Sequence, residues 1–322
     1  MKYCELHAHT SFSLLDGASH PEDLVARARE LGLPALAITD HDNLYAAPVF
    51  WQAARLAGIK AITGAEVTVR DEAGSHHLTL LARDSTGYAN LCRLLTRAHL
   101  QGTKGKPHLE LPQLRQFSAG LYCLSGCRQG RIPSLLLAGR EAEALAFARS
   151  LLDFFGGRFW IELQNHLCPE DRELTRNLIR LARRVDIGYL ATNNVHYAAR
   201  RGHRLHDILT CIRHRITLDE SAGLRRPNSE WFLKPGREMA PLFPEHPEAI
   251  RHTVYVAEQC RFDPDFAPYR FPSYPLPPGQ NPDDYLAALC WRRARERYGD
   301  PGGEVSTRLR EELELIRQLG LA

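Results

Sequence analysis

Over the first two hundred positions, short continuous apolar runs alternate with longer stretches in which apolar side chains recur every three or four residues. A run of this length suits a strand covered on both faces, and the three-to-four spacing suits a helix with one buried stripe. The runs are Tyr3–Leu6, Ala35–Thr39, Lys60–Ala65, Leu78–Ala82, Gly120–Ser125, Arg158–Leu163 and Gly188–Thr192. Between them the spacing predicts helices. The first opens at Ser19 as N-cap, with Pro21 in the first turn and Glu22 three residues on, and stops at Gly32. Others are predicted over 46–57, ending at Gly58, and over 87–98, 139–155 and 169–185. A polar turn at Asp71–Ser75 and a Gly-, Lys- and Pro-rich loop at 100–113 interrupt the series. This alternation predicts a parallel α/β fold, most simply a barrel, whose strand ends converge on one mouth.

Beyond residue 200 the pattern loosens. His203–Ile212 reads as a helix, Trp231–Leu233 as a short strand and 247–260 as a helix with Ile250, Val254 and Ala257 on one face. Prolines crowd 264–282, which reads as an extended linker, and 283–298 and 304–319 read as amphipathic helices. The expected organisation is a barrel domain over 1–263, a linker over 264–282 and a helical segment over 283–322. No internal repeat is present.

Composition narrows the class. The chain has 322 residues, 44% hydrophobic and 25% charged, as in a globular protein with a full core. No apolar run approaches a membrane span, and no signal-peptide pattern opens the chain, so a cytoplasmic protein without membrane attachment is expected. The 8 cysteines are scattered with no Cys-x-x-Cys pair, which excludes a zinc ribbon and a thioredoxin-like motif and predicts reduced, mostly buried thiols. A net charge of +3 does not by itself mark a nucleic-acid binder.

The chemistry gathers at the ends of the apolar runs. His7 and His9 follow the first strand two residues apart, so they share a face, and neutral imidazole is a common metal ligand. Asp16 lies in the loop that follows; His41, Glu66, His77, Cys127, Asn194 and His196 stand at later strand ends. Singly, each has a structural explanation: a buried thiol for Cys127, a capping role for Glu66, solvated rings for His76 and His77. Together they make a multinuclear metal centre the simpler reading. Asp40 is expected to orient His41 from outside the ligand shell.

These residues carry a resemblance. His7-Ala8-His9, Thr39-Asp40-His41, Gly64-Ala65-Glu66, His77-Leu78, Ser125-Gly126-Cys127 and Asn194-Val195-His196 are similar to the motifs of the polymerase and histidinol phosphatase (PHP) family. The longer runs His7–Gly17, His77–Ala82, Gly87–Leu91 and Ala191–Tyr197 resemble the PHP domain of bacterial DNA polymerase III alpha subunits. Asp207–Arg213, with Leu233-Lys234 and Glu238-Met239, is similar to the error-prone, translesion branch. The resemblance implies a distorted (β/α)7, TIM-like barrel with a C-terminal extension of short helices, and two to three divalent metal ions. His7, His9, Glu66 and Asn194 would surround one ion, Asp16, His41 and His196 a second, and Glu66, His77 and Cys127 a third. The mixed N, O and S donors suit Zn2+, with Mn2+ or Fe at the harder positions. Such ions lower the pKa of a bound water and clamp attacking and leaving oxygens, so phosphoester hydrolysis is implied, with His7, His9, Glu66 and His196 around the reacting atoms. In polymerases of this type that means 3′–5′ exonuclease proofreading or pyrophosphate hydrolysis, in DNA replication or repair.

Two departures qualify the resemblance. The family usually has Asp where this chain has Asn194, so metal affinity and hydrolysis are expected to be weaker. No polymerase palm motif is found, so no DNA synthesis is expected from this chain. A basic group, Arg200, Arg201, Arg204, Arg213, Arg215, Arg225 and Arg226, outnumbers the acids Asp207, Asp219, Glu220 and Glu230 around it. It suits guidance of a DNA 3′ end or single strand to the mouth, a solvated face, or an interface with polymerase domains in cis or in trans. Three functions are therefore carried: a polymerase-associated phosphoesterase, a free-standing PHP phosphatase, and a non-catalytic scaffold.

Overall fold

The computed structural model describes residues 1–72, 74–264 and 273–322. The chain divides into two compact units, Met1–Asp263 and Pro264–Ala322. In the first, six strands form one sheet in sequence order: β1 Ala35–Ile38, β2 Lys60–Asp71, β3 Gly74–Ala82, β4 Leu121–Leu124, β5 Phe159–Leu163 and β6 Tyr189–Ala191. The helices are α1 Pro21–Glu30, α2 Ala47–Ala57, α3 Ser85–Gln101, α4 Leu111–Gln116, α5 Arg131–Leu137, α6 Glu141–Phe155, α7 Asp171–Arg184, α8 His203–His214, α9 Gly236–Met239 and α10 Pro247–Gln259. The second unit holds α11 Pro282–Tyr298 and α12 Glu304–Leu319. Residues 265–272, within the expected proline-rich linker, lie outside the described residues.

The sheet is not wholly parallel. β1–β2, β4–β5 and β5–β6 pair in parallel, but β3 runs antiparallel to both neighbours. The turn at Asp71–Gly74 joins β2 directly to β3, too short for the crossover that parallel pairing needs. The opening run at Tyr3–Leu6 makes no regular strand. It contributes isolated bridges, Glu5 to Leu36 and Ala8 to Val195. Through them it joins the two sheet edges: Ala37 and Thr39 donate to the Glu5 and Ala8 carbonyls, while His9 N–H donates to Val195 and Val195 N–H to His7. Trp231–Leu233 likewise makes a bridge, Tyr197 to Phe232, rather than a regular strand.

Period-two alternation sorts the side chains. Leu36, Ile38, Val67, Leu78, Leu80, Ile161 and Leu163 pack in one cluster with helix residues such as Leu24, Phe50 and Leu94. Ala35, Ala37, Ile62, Leu81, Leu124 and Trp160 form another with Val256 and Ala257 of α10. Glu66, Thr79 and Glu162 share the strand faces of Ile62, Leu81 and Trp160, so buried polar groups continue this second, inner layer.

One buried cation helps tie the ring. Lys234 Nζ donates to Asn193 Oδ1 at 3.0 Å and to the Glu230 carbonyl, and is 2% exposed. Burial pushes its pKa down to about 8 although Glu230 favours the charge. The folded chain therefore binds fewer protons here than the unfolded chain between pH 8 and the ordinary lysine range. Stability should rise with pH across that window, and the cost of burying the charge should be present in full below it. Relative to Lys234→Met, the wild type should gain up to about 3 kcal/mol between pH 8 and 10.5, as read by urea unfolding. A flat difference would show that the charge is not penalised.

Candidate metal centre

Glu66 is the hub. It sits in the middle of the 12-residue β2 rather than at a strand end, paired with Thr79, and is 1% exposed. Four imidazoles surround its carboxylate: His41 Nδ1 at 2.8 Å, His77 Nδ1 at 3.1 Å, His7 Nε2 at 3.4 Å and His9 Nε2 at 3.8 Å. Burial opposes the charge on Glu66, but His77 and His41 outweigh it and hold the carboxyl well below its usual range. Burial also opposes protonation of His7 and His41. Glu162 and Glu66 outweigh it at His7, and Glu66 and Asp16 at His41, so both are raised to about 10. Burial and the neighbouring His41 and His196 push His9 well below the ordinary histidine value.

Asp16 makes a second focus. Its Oδ2 lies 2.8 Å from His41 Nε2 and 3.3 Å from His196 Nε2. The loop that presents it is tight: a Cβ on Gly17 would meet the Thr10 carbonyl oxygen at 1.8 Å, so glycine is required there. Cys127 Sγ is 3.8 Å from His77 Nδ1, and burial, then Glu66, push its thiol pKa far up in the absence of a cation.

The hydrogen-bond partners fix how three rings face the site. His7 Nδ1 meets Glu162 Oε1 at 2.6 Å. His9 Nδ1 meets Ser13 Oγ at 3.2 Å, and that hydroxyl donates its own proton to Asp40 at 2.7 Å. His196 Nδ1 donates to the Asn194 carbonyl at 2.8 Å. In each case Nδ1 is the donor, which leaves Nε2 as the atom a metal would take; at His7, whose pKa is raised, the metal would displace the Nε2 proton. Asn194 adopts a left-handed φ of 43°, which asparagine tolerates better than most residues. Its side-chain oxygen and Glu66 Oε1 are buried without a hydrogen-bond partner among the described residues. Buried acceptors of this kind are costly unless something binds them, and a cation fits both.

The geometry thus connects His7, His9, Asp16, His41, Glu66, His77, Cys127 and His196 through direct approaches, and Asn194 through its carbonyl. Convergent trios among them include His7–His9–Glu66, His9–His41–His196 and His41–Glu66–His77. Asp40 acts differently from the expectation. Its carboxylate accepts from Thr10 N–H, Thr10 Oγ1 and Ser13 Oγ, so it braces the 10–13 loop and, through Ser13, His9. Two contributors escaped the sequence reading, Glu162 and His206, and Arg226 was expected only within the basic group, not against the histidines. Glu162 had a signal, a carboxylate inside an apolar strand, which survives burial only with strong partners. His206 carried none beyond its residue type.

Residues 5–166 match the PHP domain family. The chain belongs to the PHP family. It is 41% identical over 336 residues to an error-prone DNA polymerase of Symbiobacterium thermophilum, covering 99% of this chain and 31% of that protein. It is 38% identical over 340 residues to a DNA polymerase III subunit alpha of Thermus aquaticus, covering 99% and 28%. The chain thus spans about three-tenths of the length of these relatives. A solved structure of a proposed metal-dependent phosphoesterase from Bifidobacterium adolescentis aligns with a TM-score of 0.46 at 19% identity, covering 74% of this chain and 96% of that one. Asn194, His196 and His206 lie beyond the part of the chain that the family match covers.

Proposed function

We propose that this PHP domain is a metal-dependent phosphoesterase of an error-prone or replicative DNA polymerase III alpha-type protein, acting as a 3′–5′ exonuclease on a DNA 3′ end or single strand. The observation that carries the reading is the Glu66 carboxylate ringed by four imidazoles, with the Nε2 atoms of His7 and His9 turned toward it. In this reading His7, His9, Glu66 and Asn194 hold one ion, Asp16, His41 and His196 another, and Glu66, His77 and Cys127 a third. Bound divalent ions, Zn2+ first and Mn2+ or Fe next, supply Lewis acidity and an activated water. The chain's own residues do the rest. Glu162 and Ser13 keep His7 and His9 in the ligating tautomer. The loop at Gly17 aims Asp16, and Arg213, 3.6 Å from Asp16 and half exposed, offers a cation for an incoming phosphodiester. Arg200 and Arg225 are engaged with Glu230 and Asp207, so they brace the wall and are less free for DNA.

The similarity to polymerases over 99% of this chain supports an association with polymerase domains, in cis or in trans, and a role in replication or translesion repair. It favours this reading over a small-molecule phosphatase. We place the barrel at 1–263, the linker at 264–282 and the segment leading toward polymerase domains at 283–322, in a cytoplasmic protein. Among the described residues no helix is long and apolar enough to cross a membrane.

A scaffold without turnover is favoured by one residue, Asn194, whose amide brings no negative charge to the first ion. Asn194→Asp should strengthen metal retention and nuclease activity by roughly 10–100-fold. The assay compares Mn2+- and Zn2+-supported digestion of a labelled single strand by wild type, Asn194→Asp and His9→Ala. Digestion that His9→Ala abolishes and Asn194→Asp leaves unchanged would show that the amide is no handicap. No digestion by any of the three, with metal bound, would establish the scaffold.

A further inference from the structure

Asp16, His196 and His206 bring one carboxylate oxygen and two ring nitrogens within 4.8 Å of one another. Asp16 Oδ2 is 3.3 Å from His196 Nε2, and Asp16 Oδ1 is 3.6 Å from His206 Nε2. His206 comes from α8 and is 3% exposed, and its Nδ1 is buried without a hydrogen-bond partner among the described residues. This ring is not among the expected ligands.

A cation already stands at this trio. Arg226 Nη2 lies 2.5 Å from His196 Nε2, and Arg226 Nε donates to His206 Nε2 at 3.3 Å. The His196 nitrogen is a lone pair, because its Nδ1 proton goes to Asn194. The guanidinium lies over the Trp231 ring, 4.7 Å from its centre. Arginine stays charged in proteins and normally seeks a carboxylate fork. Its neighbour Arg225 has one in Asp207, yet among the described residues no carboxylate lies within ion-pair distance of Arg226. Its hydrogen-bond acceptors are the nitrogen lone pairs that a divalent ion would use.

We infer that Asp16, His196 and His206 form a cation position held by Arg226, and that a divalent ion takes this position only by displacing the guanidinium. The inference rests on the metal-centre reading above. Two cations cannot share these donors: each needs the same lone pairs, and their mutual repulsion at this range is large in a part-buried site. The ion at this position is therefore the exchangeable one, and His206 is one of its ligands.

The test uses the full chain. Zn2+ is titrated by equilibrium dialysis with elemental analysis of wild type, Arg226→Met and His206→Gln, each checked for folding by circular dichroism. Arg226→Met should bind one equivalent more tightly, on the order of tenfold, with the other equivalents unchanged. His206→Gln should bind one equivalent more weakly. A dicarbonyl arginine reagent should label Arg226 of the wild type faster once Zn2+ is added, a readout independent of activity. If Arg226→Met misfolds, Arg226→Gln replaces it, since it removes the charge and keeps a planar head. Unchanged or weaker binding in the arginine variant, with wild type binding metal, would overturn the exchange and leave the metal centre standing. Wild type binding no metal would overturn both.

Discussion

Glu66→Gln is expected to strip the protein of its metal. The substitution keeps the shape but removes the negative charge shared by four histidines, and puts an NH2 donor where two of the ring nitrogens need an acceptor. Removing one member of a buried charge network typically costs about 3–5 kcal/mol, because the partners stay behind uncompensated. Wild-type protein prepared with Zn2+ should carry two to three ions, and a chelator should lower its Tm because metal binding adds to folding free energy. The variant should carry less than one ion, melt lower and show no chelator effect. Its hydrolysis of single-stranded DNA should fall more than about 100-fold, beyond the loss usual for residues that only support a ligand. Elemental analysis beside thermal melts with and without chelator makes the comparison. A variant that retains two ions and the same chelator response would remove Glu66 from the centre.

The second large effect is expected away from the ligands, at Glu162. Its carboxylate accepts from His7 Nδ1 at 2.6 Å, Gln164 Nε2 at 2.8 Å and Thr192 Oγ1, all in a fully buried setting. Glu162→Gln can keep one oxygen on His7 Nδ1, so ring orientation survives while the charge that enriches the imidazole is lost. Zn2+ affinity should drop about 10–100-fold, equivalent to about 1.4–2.8 kcal/mol. Glu162→Leu should do more: it leaves Nδ1–H, the amide and the hydroxyl without their acceptor, and the protein should lose folding stability as well as metal. Competition against a zinc indicator of known affinity reads the first variant, and urea unfolding the second. Equal affinity in Glu162→Gln and wild type would mean that the His7 tautomer is fixed by other groups.

Much of the candidate centre was legible because its residues are chemically conspicuous against apolar runs. His7 and His9 two apart, and His41 one residue beyond Ala35–Thr39, stand out in any reading of the pattern. The helices of high contrast were legible for the same reason: α2 ends at Gly58 and α7 alternates arginines with leucines. Strand direction was not. An apolar run reads the same whichever way it lies in a sheet, so the reversal of β3 rests on turn length, and the turn looked like any polar loop. β2 runs past Glu66 to Asp71 because Val67 and Val69 continue the buried face, while a glutamate in the run resembled an end. α5 was missed because Pro133 reads as a breaker, yet it falls in the first turn, where the missing N–H has no helical partner to lose. His206 was invisible, and Arg226 was visible only as one of a basic group, because only tertiary packing aims them at the site.

The bridging of both sheet edges by residues 5–9 has a consequence for how the protein is made. His9 N–H bonds Val195, and Cys4 N–H bonds Thr253 Oγ1, across 249 positions of chain. At elongation rates of about 5–20 residues per second, the opening segment waits roughly 10–50 s on the ribosome for those partners. During that wait its histidine pair is exposed to every free metal ion and every chaperone nearby, while Glu66 and His77 already follow. A nascent chain that captures an ion early would hold it on a half-built site. The order of synthesis thus gives metal supply a time window in which to help or to misdirect closure of the ring.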